Sequence, residues 1–348
     1  MKHILITGGA GFIGSHTCLD LIEKGYKVTI VDSLINSSKN TIQNIKSLIV
    51  PLKKNLLSFH KLDIRNEKDL SFIFAKAHKE NIPFEAVIHF AGLKSVNESK
   101  FIPLEYWDNN VYGTINLLKV MQKNGCFNMV FSSSATVYAE TKTGCFSEDS
   151  ELGPVNPYGQ TKLTIEKILH DVSISMKNKW KITCLRYFNP VGAHLSGKLG
   201  EDPKGIPNNL LPFLSQVAIG KINMLKIFGN DWPTNDGTGV RDYIHVMDLA
   251  EAHSYALQHL FDNDLKFLTL NLGTGRGTSV LELLKCFEEI NNVKIPFEFV
   301  KRRLGDVPIA VANNEKARRI LNWVPKRDLK QACVDSWNWQ INNMKTKK

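Results

Sequence analysis

No run of the 348 residues is long and apolar enough to span a bilayer, so no membrane partner is expected. The amino terminus has no secretory pattern, because the apolar run Ile4-Leu5-Ile6 is short and leads straight into glycines. Cysteine is sparse. Cys18, Cys126, Cys145, Cys184, Cys286 and Cys333 are dispersed, with no C-x-x-C and no metal-ligand spacing. That excludes a disulfide scaffold, leaves no metal to expect, and suits reduced thiols in a cytoplasmic protein. Repeats and low-complexity segments are missing as well. Acidic residues are in deficit, 34 against 44 basic, for a net charge of +10. A nucleic-acid site would gather those lysines on one stripe. They are scattered, and the tail Lys345, Lys347, Lys348 reads as a solvated, frayed end. An anionic phosphate ligand or a basic proteome accounts for the charge equally well, and no nucleic-acid partner is expected.

What is present is an ordinary globular composition, 43% hydrophobic and 22% charged, in a chain long enough for about two domains. Lys2 to Thr7 reads as a strand. Gly8-Gly9-Ala10-Gly11-Phe12-Ile13-Gly14 follows, then a helical pattern closed by Gly25, then the strand Lys27 to Val31 ending in Asp32. Strand, glycine loop, helix, strand and acid is the layout of a dinucleotide site. The glycines let backbone N–H groups approach a pyrophosphate at the positive end of the helix. Asp32 suits a ribose diol and repels a 2′-phosphate, which predicts NAD over NADP. The spacing is G-x-x-G-x-x-G.

Further strands follow at Phe59 to Leu62, Glu85 to Phe90, Met129 to Phe131, Trp180 to Tyr187 and Leu268 to Leu272, with a helix opening at Asp108-Asn109-Asn110-Val111. Alternating strands and helices predict an α/β fold, a doubly wound (Rossmann) parallel sheet of about seven strands. Asp63-Ile64 ends the third strand, and spacing alone leaves open whether Asp63 meets an adenine or is an ordinary strand-end carboxylate. Ala91-Gly92 gives a cofactor room beside the backbone, whereas His89 within the strand reads as a satisfied core histidine. Ser132-Ser133-Ser134 closes the fifth strand, where doubly wound sheets bind ligands. After residue 187 the chain becomes rich in turn residues. There Arg241 and the pair Arg302-Arg303 are suited to neutralising a diphosphate with bidentate bonds.

The chemistry centres on Asn156-Pro157-Tyr158-Gly159-Gln160-Thr161-Lys162. Asn156 suits an N-cap and Pro157 the first helical position. Ile165, Ile168, Leu169 and Val172 give a core-facing stripe. Tyr158 and Lys162, one turn apart, share a face. A phenol titrates near ~10. A cation about 4 Å away favours the phenolate by ~4 kcal/mol at an effective dielectric of ~20, so Tyr158 is expected to serve as a general base. A second Tyr/Lys pair, Tyr138 and Lys142, lacks a cap and runs into a loop.

These motifs, together with Val137-Tyr138, resemble the extended short-chain dehydrogenase/reductase superfamily. Within it, Asn189 to His194, Gly205 to Asn209 and Arg241 to Asp248 look like the UDP-glucose 4-epimerase family, and the likeness covers nearly the whole chain. The resemblance implies a Rossmann domain over 1–187 that binds NAD and also receives segments near 240–275. It implies a smaller mixed α/β domain over 188–348, interleaved with the first, that binds a UDP-sugar. It further implies reversible C4 epimerisation of UDP-glucose and UDP-galactose through a 4-keto sugar and tightly bound NAD, by a homodimer. Tyr158 would exchange the O4 proton, Ser134 would bond O4, and Lys162 would lower the Tyr158 pKa and hold the nicotinamide ribose.

Around the cofactor the resemblance places Gly8, Gly11, Phe12, Ile13, Gly14, Asp32 and Asn36, then Asp63, Ile64, Phe90, Ala91 and Lys94. Asn109, Ser132 and Tyr187 complete that set with Tyr158 and Lys162. Around the sugar nucleotide it places Lys94, Ser134, Tyr158, Asn189, Asn209, Leu210, Phe228, Arg241, Tyr243, Arg303, Asp306 and Ala310. Ala139 departs from the family's usual glycine. Ala310 stands where some members carry a tyrosine, which points to room for an N-acetyl group and to UDP-GlcNAc/UDP-GalNAc as a further substrate pair. A 4,6-dehydratase would need Asp-Glu where Ala135-Thr136 stand, and a UDP-glucuronate epimerase would need an extra cation. A non-catalytic NAD- and RNA-binding member would have no need of Tyr158, Lys162 and Ser134 together.

Overall fold

The computed structural model of the chain describes residues 1–346 apart from 142, 176–178, 206, 208 and 304. Lys142 of the second Tyr/Lys pair, the tail residues Lys347 and Lys348, the side chain of Lys345, and Ile206 and Asn208 of the 205–209 block lie outside the described residues. Two compact units divide the chain. One comprises Met1–Val137, Leu152–Arg186 and Ala250–Leu270, the other Tyr138–Glu151, Tyr187–Leu249 and Asn271–Lys348.

The first unit is built on a seven-stranded sheet. Its strands are β1 (His3–Thr7), β2 (Lys27–Asp32), β3 (Leu57–Lys61), β4 (Ala86–His89), β5 (Asn128–Ser134), β6 (Lys181–Tyr187) and β7 (Phe267–Leu272). The order across the sheet is β7-β6-β5-β4-β1-β2-β3. Both neighbours of β1 run parallel to it, with Ile4 opposite Val28 on one side and Ala86 on the other. β3 runs parallel to β2 and β5 to β4. Strands covered on both faces must be apolar throughout, and Ile4, Leu5, Ile6, Val28, Ile30, Val87, Ile88, Met129 and Val130 are all fully buried. On one face of the sheet, Leu5, Val87 and Met129 share a core with Leu70 and Phe74 of the helix Glu67–Lys79, Leu117 and Met121 of Gly113–Lys123, and Ile165 and Leu169 of Pro157–Ser173. Burying each such side chain contributes on the order of 1.5–3 kcal/mol.

One helix begins earlier than the sequence suggests. Asp108 does not open it: the chain turns helical at Pro103, whose missing N–H costs nothing at the first position. Trp107–Tyr112 then widens into a π-turn before the α-helix resumes at Gly113. Asp108, freed of a capping role, pairs with Arg65 at 2.6 Å.

The second unit holds smaller sheets. Thr278–Ser279, Val240–Arg241, Ile309–Ala312 and Cys145–Phe146 form one in that order. Asn189–Val191 pairs parallel with Tyr243–His245, and Leu225–Phe228 with Phe297–Val300. Their core gathers Leu211, Leu214, Ile227, Leu283 and Phe287. Asp242 is fully buried, and its carboxylate accepts from the backbone and hydroxyl of Thr274, from Gly275 N–H and from Ala312 N–H, at 2.7–3.2 Å. No helix among the described residues is long and apolar enough to cross a membrane.

Candidate active site

In the first unit Asn156 caps the helix Pro157–Ser173, its side-chain oxygen accepting Gly159 N–H at 2.9 Å, with Pro157 at the first position. That fixes where the helix starts and so aims Tyr158 and Lys162. Tyr158 is 7% exposed, and the Ser134 side chain at the end of β5 lies near enough to its hydroxyl to favour the phenolate. Ser134 Oγ also accepts from Thr136, through N–H at 3.2 Å and the hydroxyl at 3.0 Å. Thr136 is a neighbour that the sequence reading did not single out. Tyr106 stands edge-on to Tyr158, ring centroids 6.5 Å apart. Lys162, 4% exposed, donates to the backbone carbonyl of Ser132 at 2.7 Å. Its ammonium lies 4.8 Å from the Phe131 ring centroid.

Burial works against the expected fall in the Tyr158 pKa. The ammonium of Lys162 is 5.9 Å from the Tyr158 ring centroid. Burial outweighs the Ser134 hydrogen bond and pushes the phenol up to about 12. Lys162 moves the other way, to about 8, because burial disfavours its charge more than Glu166 favours it. Shielding from water acts on both groups, and the sequence alone does not show it.

Around the expected dinucleotide loop two glycines are sterically required. Gly8 has φ +69°, and a Cβ there would sit 2.6 Å from Ala91 N. At Gly14 a Cβ would sit 2.5 Å from the Gly8 carbonyl oxygen. Gly11 caps the helix Phe12–Glu23 without a side-chain bond, so the cap residue itself leaves the first-turn N–H groups, Ile13 among them, unmasked. Asp32 is buried at the end of β2. Its carboxylate is held by Ala10 N–H, Leu34 N–H and the Ser37 hydroxyl at 2.8–2.9 Å, while Asn36 in the same turn is exposed. A backbone cradle that a single methyl would fill, an open helix end and a fixed carboxylate fit a diphosphate-bridged dinucleotide.

The Asp63 carboxylate is bound by Arg65, with Nη2–Oδ2 2.7 Å, and hydrogen bonds from Arg65 hold its pKa below the usual range. Ile64 beside it is buried and its carbonyl accepts from Asn116 at 2.6 Å. Phe90 is half-buried against the His253 ring at 4.7 Å, and Ala91 N–H reaches the Thr7 hydroxyl at 3.3 Å. Lys94 is exposed, and Asn109 is half-buried on the π-turn. Its neighbour Asn110, not anticipated, is buried and bonds both backbone groups of Leu93 (2.7 and 3.0 Å) and the Thr161 hydroxyl (3.1 Å). Within this unit the structure therefore brings Tyr158, Ser134, Lys162 and Ser132 together, and the glycine loop against Ala91.

In the second unit Arg303 stacks on Phe228, guanidinium to ring centroid 3.8 Å, where it feels attraction from Asp306 and repulsion from Arg241. Two guanidiniums within electrostatic reach of each other suit an anion. Arg302 does not join them as the sequence suggested. It pairs with Asp231 at 2.8 Å and lies over the Trp232 ring at 4.0 Å. Ala310 sits opposite Arg241 in the sheet, and Tyr243 opposite Asn189. Burial pushes the Tyr243 phenol up to about 12. Asn209 precedes the helix Leu210–Ala218 and donates to the Glu201 carboxylate at 2.8 Å, with Leu210 half-buried behind it. Tyr187, at the end of β6, is half-buried.

The parallel doubly wound sheet, the glycine loop after β1, the acid ending β2 and Tyr158-x-x-x-Lys162 beside a strand-end serine define an NAD-type enzyme of the extended short-chain dehydrogenase/reductase class. Comparison with known proteins agrees. The family model described as GDP-mannose 4,6 dehydratase matches residues 5–335. UDP-glucose 4-epimerase of Bacillus subtilis (strain 168) is 49% identical over 341 residues, 98% of this chain and 97% of that protein. UDP-glucose 4-epimerase 2 of Arabidopsis thaliana is 52% identical over 342 residues, 98% and 96% of the two chains. Among solved structures, UDP-glucose-4-epimerase from Stenotrophomonas maltophila, with bound NAD and formylated UDP-arabinopyranose, superposes with a TM-score of 0.93. It is 45% identical, with 99% of this chain and 100% of that one covered. The chain belongs to the UDP-glucose 4-epimerase family.

Proposed function

We propose that the protein interconverts UDP-glucose and UDP-galactose by inverting C4 through a 4-keto sugar, using NAD that is regenerated within each cycle. The observation that carries this is the buried Tyr158 phenol with the Ser134 side chain near it and Lys162, one turn along the same helix, fixed on the Ser132 carbonyl, in a chain matched end to end by epimerases. Bound NAD⁺ supplies a hydride acceptor and donor for C4 and a positive charge. Tyr158 takes the O4 proton and later returns it. Ser134 bonds the same oxygen and orients it. Lys162, fixed by the Ser132 carbonyl, favours the phenolate against the burial that raises its pKa. The first unit is the NAD-binding part: its glycine loop holds the pyrophosphate and Asp32 the adenosine ribose. The second is the UDP-sugar-binding part, in which Arg241 and Arg303 neutralise the diphosphate and keep a reactive ketone from leaving. Dehydration is disfavoured because Ala135 and Thr136 put no carboxylate after Ser134, and Thr136 is bonded to Ser134.

The small side chain of Ala310 beside Arg241 supports UDP-GlcNAc and UDP-GalNAc as a second substrate pair. Val96, Phe101, Ile102, Leu104, Trp107 and Tyr112, all exposed within one short stretch, support a homodimer. The six unpaired thiols suit a cytoplasmic enzyme of galactose metabolism. The test is to incubate purified protein with UDP-galactose, no NAD added, and follow UDP-glucose. Tyr158→Phe should lower kcat by roughly 10²–10⁴-fold at unchanged UDP affinity. Absent interconversion, or a Tyr158→Phe variant that turns over normally, would overturn the assignment.

A further inference from the structure

Three residues four apart on one face of the helix Pro157–Ser173, namely Tyr158, Lys162 and Glu166, meet three consecutive residues at the end of β5. Tyr158 lies by the Ser134 side chain, Lys162 donates to the Ser132 carbonyl, and Glu166 accepts from the Ser133 hydroxyl at 2.5 Å. The third rung has no part in the chemistry above, yet it is among the most enclosed charged groups of the unit. Glu166 and Arg186 are each 4% exposed, and Arg186 on β6 clamps the carboxylate, with Nη2–Oε2 2.6 Å and Nε–Oε1 2.9 Å. A buried ion pair of this kind is poor value as a stabiliser, since similar apolar packing is often as stable.

We propose that Glu166, held by Ser133 and Arg186, is a positioning residue for the epimerase reaction: it locks the helix face onto the end of β5 and supplies the anion that balances the buried Lys162 ammonium. The inference rests on the function proposed above. The other groups around Lys162 leave that balance to Glu166. His89 of β4 is neutral, burial and the ammonium itself pushing it down to about 3. Burial biases the Tyr158 phenol toward its neutral form. Tyr106, which faces Tyr158, is pushed well up by burial, and its hydroxyl donates to Glu98 at 2.7 Å. Cys184 on β6 is held neutral by burial and by Glu166. Arg186, beyond Glu166, is a cation and would oppose Lys162 if the carboxylate were gone.

The test reads Lys162 directly. In full-length protein carrying ¹³Cε-lysine, the Lys162 signal is the one lost in Lys162→Met. In Glu166→Gln its titration midpoint should fall by about one pH unit or more, and Glu166→Asp, which keeps the charge, should restore most of it. The alkaline limb of kcat should move with the midpoint, while KM for the UDP-sugar changes less than about twofold. Where Glu166→Gln alone does not fold, Glu166→Gln/Arg186→Met removes the pair together, so that Arg186 is not left as an unpaired buried cation, and should still lower the midpoint. An unchanged midpoint in whichever of these folds overturns the proposal. A wild type that cannot epimerise overturns the proposed function instead, and the lysine titration still reports on Glu166.

Discussion

Lys162→Met should make the ligand-free protein more stable while removing its activity. The buried ammonium titrates near 8 where an ordinary lysine titrates at 10.5. At about 1.4 kcal/mol per pH unit, that gap is a penalty of roughly 3 kcal/mol for keeping the charged form inside. Methionine fills similar space without charge but loses the bond to the Ser132 carbonyl. A bond from a charged donor contributes about 1.5–3 kcal/mol, so the net gain at pH 7 is on the order of 1 kcal/mol. The sign depends on pH. Below pH 8 both folded and unfolded wild type carry the proton and the full penalty applies. Between 8 and 10.5 the unfolded chain binds the extra proton, so wild-type stability rises with pH. The advantage of the variant should therefore vanish by about pH 10.5, leaving the lost hydrogen bond as a net cost. Urea unfolding of nucleotide-stripped protein at pH 7 and pH 10, followed by circular dichroism, measures this. A variant several kcal/mol less stable at pH 7, or a difference that ignores pH, would refute the account of Lys162 as a charge held inside against its hydration.

Three further changes test other parts of the structure. Asn156→Ala removes the cap on Gly159 N–H and should cost about 1 kcal/mol in the urea midpoint, with a lower kcat, because the helix start aims Tyr158; an unchanged kcat separates cap from catalysis. Gly14→Ala places a methyl 2.5 Å from the Gly8 carbonyl oxygen, so the loop must shift at a cost of roughly 1–3 kcal/mol. Calorimetric titration with NAD should then show weakened binding, and wild-type affinity would mean the loop is not the cradle. Ala310→Tyr should lower the ratio of UDP-GlcNAc to UDP-glucose turnover by roughly tenfold or more in a coupled assay, and an equal ratio would remove Ala310 as a wall of the sugar pocket.

The alternation of strand and helix was legible because each element carries its own periodicity. All seven strands of the sheet lie within a few residues of where apolar runs and turn residues put them. The cap at Asn156 was legible for the same local reason. His89 also behaves as a satisfied core histidine, bonded to the hydroxyls of Thr7 at 2.6 Å and Thr114 at 2.9 Å. What escaped depends on partners distant in sequence. The start at Pro103 was hidden by the acid and amides at Asp108–Asn110, which look like a cap until Arg65 claims Asp108. Arg302 and Arg303 are adjacent, yet Asp231 takes one and Phe228 the other. The direction of the Tyr158 titration follows from burial, which spacing along a helix does not report. Glu166 was visible one turn past Lys162, but nothing local announces Arg186 as its partner.

The chain passes from one compact unit to the other five times, near residues 138, 152, 187, 250 and 271. A ribosome delivers it in order, so the seven-stranded sheet cannot close until β7, ending at residue 272 of 348, has emerged. Until then the outer edge of β6 is an unprotected template for other chains. Synthesis of this protein should therefore lean on chaperones late, after most of the nascent chain is already outside the exit tunnel.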